Sequence, residues 1–303
     1  VVANDLERNL LYVNNGDGTF TEQGVRSGIA YNENGRARAG MGIDAGVVDT
    51  TGKPYVFVGN FSTEMTGVFR HMEDGLFLDR AAASQVGLAS RPILTFGLFL
   101  FDVELDGDLD LFAANGHMQP AVDSVSNSVS YRQRPHLYVN QEGGGTFEEV
   151  GRKVGDVFQQ QYVARGAAYG DYDRDGDLDI LITENGGPAH LWRNDSRSGH
   201  VLRVELRGVE SNRDGIGARI TAETRTDDVS RRIRAGSSYL SQSEKRATLG
   251  LGAATAAERL TVFWPSGTVD RFEDIRANRE IIVSEGGSYT VRDSFGSRSI
   301  ARH

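Results

Sequence analysis

The feature that most constrains this chain is an acidic loop that occurs twice. Residues 102–110 read DVELDGDLD and residues 171–179 read DYDRDGDLD. Each runs directly into an apolar stretch, LFAAN or ILITEN. Carboxylates at alternate positions converge when a chain curls, and a Gly after the third allows the sharp turn. Such density of negative charge calls for a cation. An all-oxygen donor set selects Ca²⁺ or Mg²⁺ over Zn²⁺ or Cu²⁺, and flexible loops with several carboxylates favour Ca²⁺. The expected ligands are Asp102, Glu104, Asp106, Asp108 and Asp110 in the first loop, and Asp171, Asp173, Asp175, Asp177 and Asp179 in the second. Glu104 is one methylene longer than Asp173, which predicts a looser first site. EF-hands are excluded. Their twelfth position requires Glu, here Ala113 and Ile182, and the flanking segments read as strands.

The loops belong to a larger repeat. Short apolar units end at Asn4, Asn60, Asn115 and Asn185. A second series, LYVN, VFRH, LYVN and LWRN, ends at Asn14, His71, Asn140 and Asn194. Three of these lead into a Gly-rich turn and a Phe: NNGDGTF, HMEDGLF and NQEGGGTF. Asp-Gly and Gly-Gly steps tolerate positive φ and mark hairpins. The unit is therefore acidic loop, strand, strand, hairpin, strand. About 55 residues of short strands is the size of a propeller blade. The third loop position, VVDTTGKPY at 47–55, keeps only Asp49 and gains Lys53; it is expected to keep its fold and bind no metal. About three and a half blades are present, which predicts an uncovered sheet face and edge.

These blades resemble FG-GAP (VCBS-type) repeats of integrin-like propellers. After LWRNDSRSG the pattern changes. HVLRVELRG (200–208), ARITAET (218–224), RLTVFWPSG (259–267) and YTVRD (289–293) alternate as strands of an antiparallel β-sandwich-like domain, and AATAAER (253–259) reads as one helical turn. SNRDGIGARI, RAGSSYLSQSE, LGLG and VFWPSGTVDRFEDI resemble the ASPIC/UnbV domain. The chain thus divides into blades over 1–195, an ASPIC/UnbV-like domain over 199–290, and a tail over 291–303, of which SFGSRSIARH (294–303) is expected to be disordered. The fold class is all-β: a partial FG-GAP-type propeller followed by a β-sandwich-like domain. The resemblance implies an extracytoplasmic protein with two Ca²⁺ sites. Some UnbV-type relatives belong to enediyne pathways, so it also leaves open an enzyme of secondary metabolism with a pocket at the junction of the two parts.

Net charge is −9, and no basic face for nucleic acid is evident. Cys is absent, which removes disulfides, thiolate metal sites and Cys nucleophiles. No apolar run is long enough for a transmembrane helix. There is neither a nucleophile elbow nor a zincin motif, so the residues favour a binding module over an enzyme and leave catalysis undecided. A loop inserted after Asn115 carries His117, Asp123, Tyr131 and Gln133. It is the candidate surface for a protein or carbohydrate partner, since rigid scaffolds concentrate function in loops. The segment SSYLSQSE groups Ser, Tyr and Gln, which reads as ordinary strand and edge polarity, with a polar ligand groove as the alternative.

Overall fold

The computed structural model describes residues 1–196 and 199–295. Strands hold 44% of the chain and helices 8%, so the fold is all-β as expected. The first hairpin pairs β1 (Tyr12–Asn14) with β2 (Phe20–Glu22). A four-stranded meander follows: β3 (Gly40–Val47), β4 (Pro54–Asn60), β5 (Gly67–His71) and β6 (Phe77–Asp79). A second has β7 (Thr95–Phe101), β8 (Asp110–Asn115), β9 (His136–Asn140) and β10 (Phe147–Glu149). The third sheet has three strands, β11 (Ala164–Gly170), β12 (Asp179–Glu184) and β13 (Ala189–Trp192). All pairings within these sheets are antiparallel. The turn between β5 and β6 places Asp74 and Gly75 at φ 61° and 74°, as the Asp-Gly step predicts.

The sheets stack face to face, with β3 against β7 and β7 against β11. Strand β7, TFGLFLF, is buried along its whole length. Its side chains alternate between faces. Leu98 and Leu100 join Phe57, Val68, Leu111 and Tyr138 on one side. Phe99 and Phe101 join Phe112, Ile180 and Ile182 on the other. A sheet covered on both faces needs apolar residues at every position, which explains the unbroken apolar run. Strands β12 and β13 of the last sheet are covered on one face only. Ile180 and Ile182 are buried, while Leu181 and Leu191 are 42% and 47% exposed. The anticipated uncovered face is therefore present.

Adjacent inner strands approach closely at equivalent glycines. A Cβ on Gly42 would lie 2.1 Å from the Phe96 carbonyl oxygen, and one on Gly97 2.7 Å from that of Arg165. At Gly166, next in this series, no further blade is met. The neighbour is Ser241, at 2.9 Å, from the C-terminal domain.

That domain is two four-stranded sheets. One has order β17–β14–β20–β21, from β14 (His200–Arg207), β17 (Ala247–Gly252), β20 (Arg279–Ser284) and β21 (Ser288–Ser294). The other has order β16–β15–β18–β19, from β15 (Arg219–Glu223), β16 (Asp228–Arg232), β18 (Ala256–Phe263) and β19 (Val269–Arg276). Leu202, Val204, Ile220, Leu249, Leu260, Val262 and Ile281 fill the space between them. Three expectations need correction. The domain is not wholly antiparallel, because β14 and β20 run parallel; alternation of side chains reports faces and not strand direction. AATAAER forms no helical turn: Ala256 already starts β18, whose buried Ala257 and Leu260 belong to the core. The tail is ordered at its start, with β21 running to Ser294 and Phe295 buried against Leu105 and Val201. Residues 296–303 lie outside the described residues.

Candidate metal centre

The two acidic loops share one internal bonding scheme. At the first position, Asp102 Oδ1 accepts the Asp106 amide at 3.1 Å and Oδ2 the Gly107 amide at 3.0 Å. Asp171 does the same for Asp175 and Gly176, at 3.2 and 3.1 Å. At the ninth position, Asp110 accepts the amides of Val103 and Asn140, each at 2.9 Å. Asp179 accepts those of Tyr172 and Asn194, also at 2.9 Å. The curl requires left-handed backbone at the fourth and sixth positions. Leu105 and Arg174 adopt φ 61° and 62°, and Gly107 and Gly176 adopt 104° and 102°. A Gly at the sixth position meets that requirement at no steric cost.

The repeated Asn residues tie each sheet to the loop of the preceding sheet. The side chain of Asn140 donates to the Val48 carbonyl at 2.8 Å, and that of Asn194 to the Val103 carbonyl at 3.0 Å. The repeat of Asn was visible in the sequence; its role was not.

Among the described residues, Asp171, Asp173 and Asp179 form the one group of three carboxylates whose oxygens lie within 4.8 Å of one another. This donor set fits a hard cation with oxygen ligands. The first loop does not converge to that distance. Asp106 and Asp175 use an oxygen to accept the amides of Asp108 and Asp177, at 2.9 and 3.3 Å. Burial pushes Asp102 up to about 7, against the opposing pull of Arg231. Burial and then the neighbouring carboxylates of Asp106, Asp102 and Asp108 push Glu104 up to about 7. Burial likewise raises Asp171 and Asp179. These shifts describe crowded, desolvated carboxylates whose ionised form needs a positive partner.

In the degenerate loop, Asp49 is engaged within its own blade. It accepts from Thr51 and from the Tyr55 hydroxyl at 2.9 Å, and Arg70 lies 3.2 Å away. Lys53 pairs with Glu73 at 3.3 Å.

The C-terminal domain supplies positive charge to the other two loops. Arg231 donates to Asp102 Oδ2 and to the Gly107 carbonyl, both at 3.0 Å. Arg203, fully buried, pairs with Asp171 and Glu244. Arg234 pairs with buried Asp44 of β3. Sequence reading missed all three arginines. Alternation along β14 was the available signal: Leu202, Val204 and Leu206 face the domain core, leaving Val201 and Arg203 on the face toward the acidic loops.

The segment RAGSSYLSQSE is a strap. Ser238 exchanges backbone hydrogen bonds with Ile43, and the Tyr239 ring meets Phe96 at 5.1 Å. Ser241 Oγ accepts the Ala167 amide and Ser243 Oγ the Tyr169 amide. It thus crosses the inner strands of three successive sheets. Between this strap, β16 and the first acidic loop lies a cleft of about 1360 Å³, lined by Asp49, Asp108, Arg219, Arg232 and Lys245 among others.

The inserted-loop candidates are committed to the loop's own structure. His117, 4% exposed, donates its amide to the Tyr131 carbonyl, and its Nδ1 accepts the Gln119 amide. Asp123 accepts the Tyr131 amide at 2.8 Å. Gln133 is buried, accepts the Leu94 amide at 2.9 Å and bridges to Tyr162. The structure brings His117, Asp123 and Tyr131 together through hydrogen bonds to the main chain.

A blade-like stack of antiparallel sheets with acidic curls, capped by a two-sheet domain, defines the class. Residues 208–290 match the family described as ASPIC and UnbV, bearing out the resemblance there. Over 268 residues, 86% of this chain, the protein is 26% identical to cartilage acidic protein 1 of Homo sapiens and of Mus musculus, and 25% identical to that of Xenopus tropicalis. The chain spans 37% to 38% of the length of these relatives. No described helix is long and apolar enough to cross a membrane, which says nothing of β-barrels.

Proposed function

We propose that this chain is a calcium-binding interaction module: FG-GAP-type blades whose two acidic loops hold Ca²⁺, with the C-terminal ASPIC/UnbV-like domain presenting a surface to a protein or glycan in an extracytoplasmic setting. The observation that carries the reading is the convergence of Asp171, Asp173 and Asp179 inside a loop whose bonding scheme the first loop repeats. In such a site Asp171 and Asp179 are pre-oriented by backbone amides, and Asp173 closes on the ion. The cation offsets carboxylate repulsion and fixes the curl; its role is structural. Calorimetric titration with Ca²⁺ tests this, with Asp173→Asn expected to abolish one site. Absence of binding by the intact chain would overturn the reading.

The cleft of about 1360 Å³ supports a second reading, an enzyme with its pocket at the junction of the two parts. It exceeds the usual 300–1000 Å³ of small-molecule sites, and its charged side chains include pairs already satisfied, such as Lys245 with Asp214. Turnover lost on blocking this cleft would favour the enzyme; none would favour the module.

A further inference from the structure

The acidic loops are also the surface on which the C-terminal domain sits. The Leu105 carbonyl accepts the Gly252 amide at 2.9 Å. A Cβ on Gly250 would lie 2.2 Å from Asp102 Oδ2, and one on Gly176 2.9 Å from the Phe295 ring. Leu105 is buried with Val201 and Phe295. The first carboxylate of each loop then meets one arginine of that domain: Asp102 with Arg231, Asp171 with Arg203.

A carboxylate offers about four acceptor positions. Asp171 uses positions for the amides of Asp175 and Gly176 and for Arg203. Asp102 uses them for Asp106, Gly107 and Arg231. In both loops the remaining capacity is directed by donors that fix the carboxylate's orientation. One of those donors comes from the other domain.

We propose that cation binding by the loops and docking of the C-terminal domain are linked, with Arg203 and Arg231 as the positioning residues that carry the linkage. The inference rests on the calcium reading above. Docking holds the first ligand of each loop in its binding orientation, and the bound cation holds the loop in the shape that the domain docks on. Linkage of binding equilibria is reciprocal, so each event strengthens the other. Groups that orient a ligand typically contribute 10- to 100-fold in metal affinity.

The test uses the full chain. Hydrogen exchange is followed with excess EDTA and with saturating Ca²⁺, and Ca²⁺ affinity is measured for wild type, Arg203→Gln, Arg231→Gln and Arg203→Lys. The informative amides bond across the junction: Ser238 to Ile43, Glu244 to Tyr169 and Gly252 to Leu105. EDTA is expected to speed their exchange while β18, in the domain's own core, stays protected. Arg203→Gln and Arg231→Gln should each weaken one site by about tenfold or more, and Lys at 203 should restore part of the loss. Should Arg203→Gln fail to fold, Glu244→Gln loosens Arg203 without touching the loop and is read the same way. Wild-type affinity in these variants, with junction amides indifferent to EDTA, would overturn the linkage alone. A wild-type chain that takes no Ca²⁺ would overturn the calcium reading and the linkage with it.

Discussion

Arg231 of the C-terminal domain and Asp102 of the first acidic loop meet at 3.0 Å, and Arg203 stands in the same relation to Asp171 of the second loop. One domain therefore neutralises the equivalent carboxylate of both repeats. The Arg203 pair is dry, with side-chain exposures of 1% and 0%. Breaking a buried pair leaves an uncompensated charge and costs about 3–5 kcal/mol. Arg203→Ala is predicted to lose about that much in denaturant unfolding. The pair of Lys153 and Glu148 is exposed and screened by solvent, and should contribute little. A similar small loss at Arg203 would show that water reaches the junction.

Asn140 is 3% exposed and its amide holds the Val48 carbonyl. Asn140→Ala leaves that carbonyl and the Gly145 amide, which Asn140 Oδ1 accepts at 3.0 Å, without these partners. A buried polar group left unsatisfied costs about 1–3 kcal/mol. Asn194→Ala should cost less, because Asn194 is only partly buried. Equal losses in thermal unfolding would contradict the staple.

Gly97 and Gly166 occupy equivalent positions but face different neighbours. The Cβ of Gly97→Ala would meet the Arg165 backbone, which cannot move without shifting β11. That of Gly166→Ala would meet the Ser241 hydroxyl. The first is predicted to destabilise by about 1–3 kcal/mol, and the second by less, with the strap around Ser241 shifting. Exchange rates of the strap amides distinguish the two.

Glu285 gives a pH signature separate from the loops. Burial opposes its charge. Hydrogen bonds from Ser266, from the amides of Ser211 and Val209, and from the Ser211 hydroxyl outweigh that and hold it at about 2. Its folded pKa is thus below the ordinary glutamate value. The stability it contributes is full above about pH 4.5 and is lost as pH falls toward 2. Glu285→Gln is predicted to flatten the stability profile across that window and leave a constant deficit above it. A profile parallel to wild type would contradict the assignment.

Much of the fold was legible because it repeats. Asp-Gly turns, apolar strands and acidic curls recur in one order, and each strand's alternation names its faces. The parallel pairing of β14 with β20 was not legible, since pairing partners far apart in sequence leave no local pattern. In the candidate site, the acidic residues were legible as a set. Which of them converge depends on the curl of the backbone, which no single residue type reports. Arg203 and Arg231 read as ordinary strand charges until the loops lie beneath them. His117 and Gln133 read as chemistry in a loop, and the hydrogen bonds that tie that loop down were not legible.

The most direct measurement is thermal unfolding of the intact chain in EDTA and then with Ca²⁺ restored, beside Asp173→Asn. Asp173 is exposed and belongs to the converging cluster, so its loss removes a ligand and little else. A cation that binds only the native state adds about 2.7 kcal/mol at one hundred times Kd. The account predicts a rise in Tm with Ca²⁺ that shrinks in Asp173→Asn. Identical Tm values in EDTA and in millimolar Ca²⁺ would contradict it and leave the acidic loops as hydrogen-bonded turns beneath the C-terminal domain.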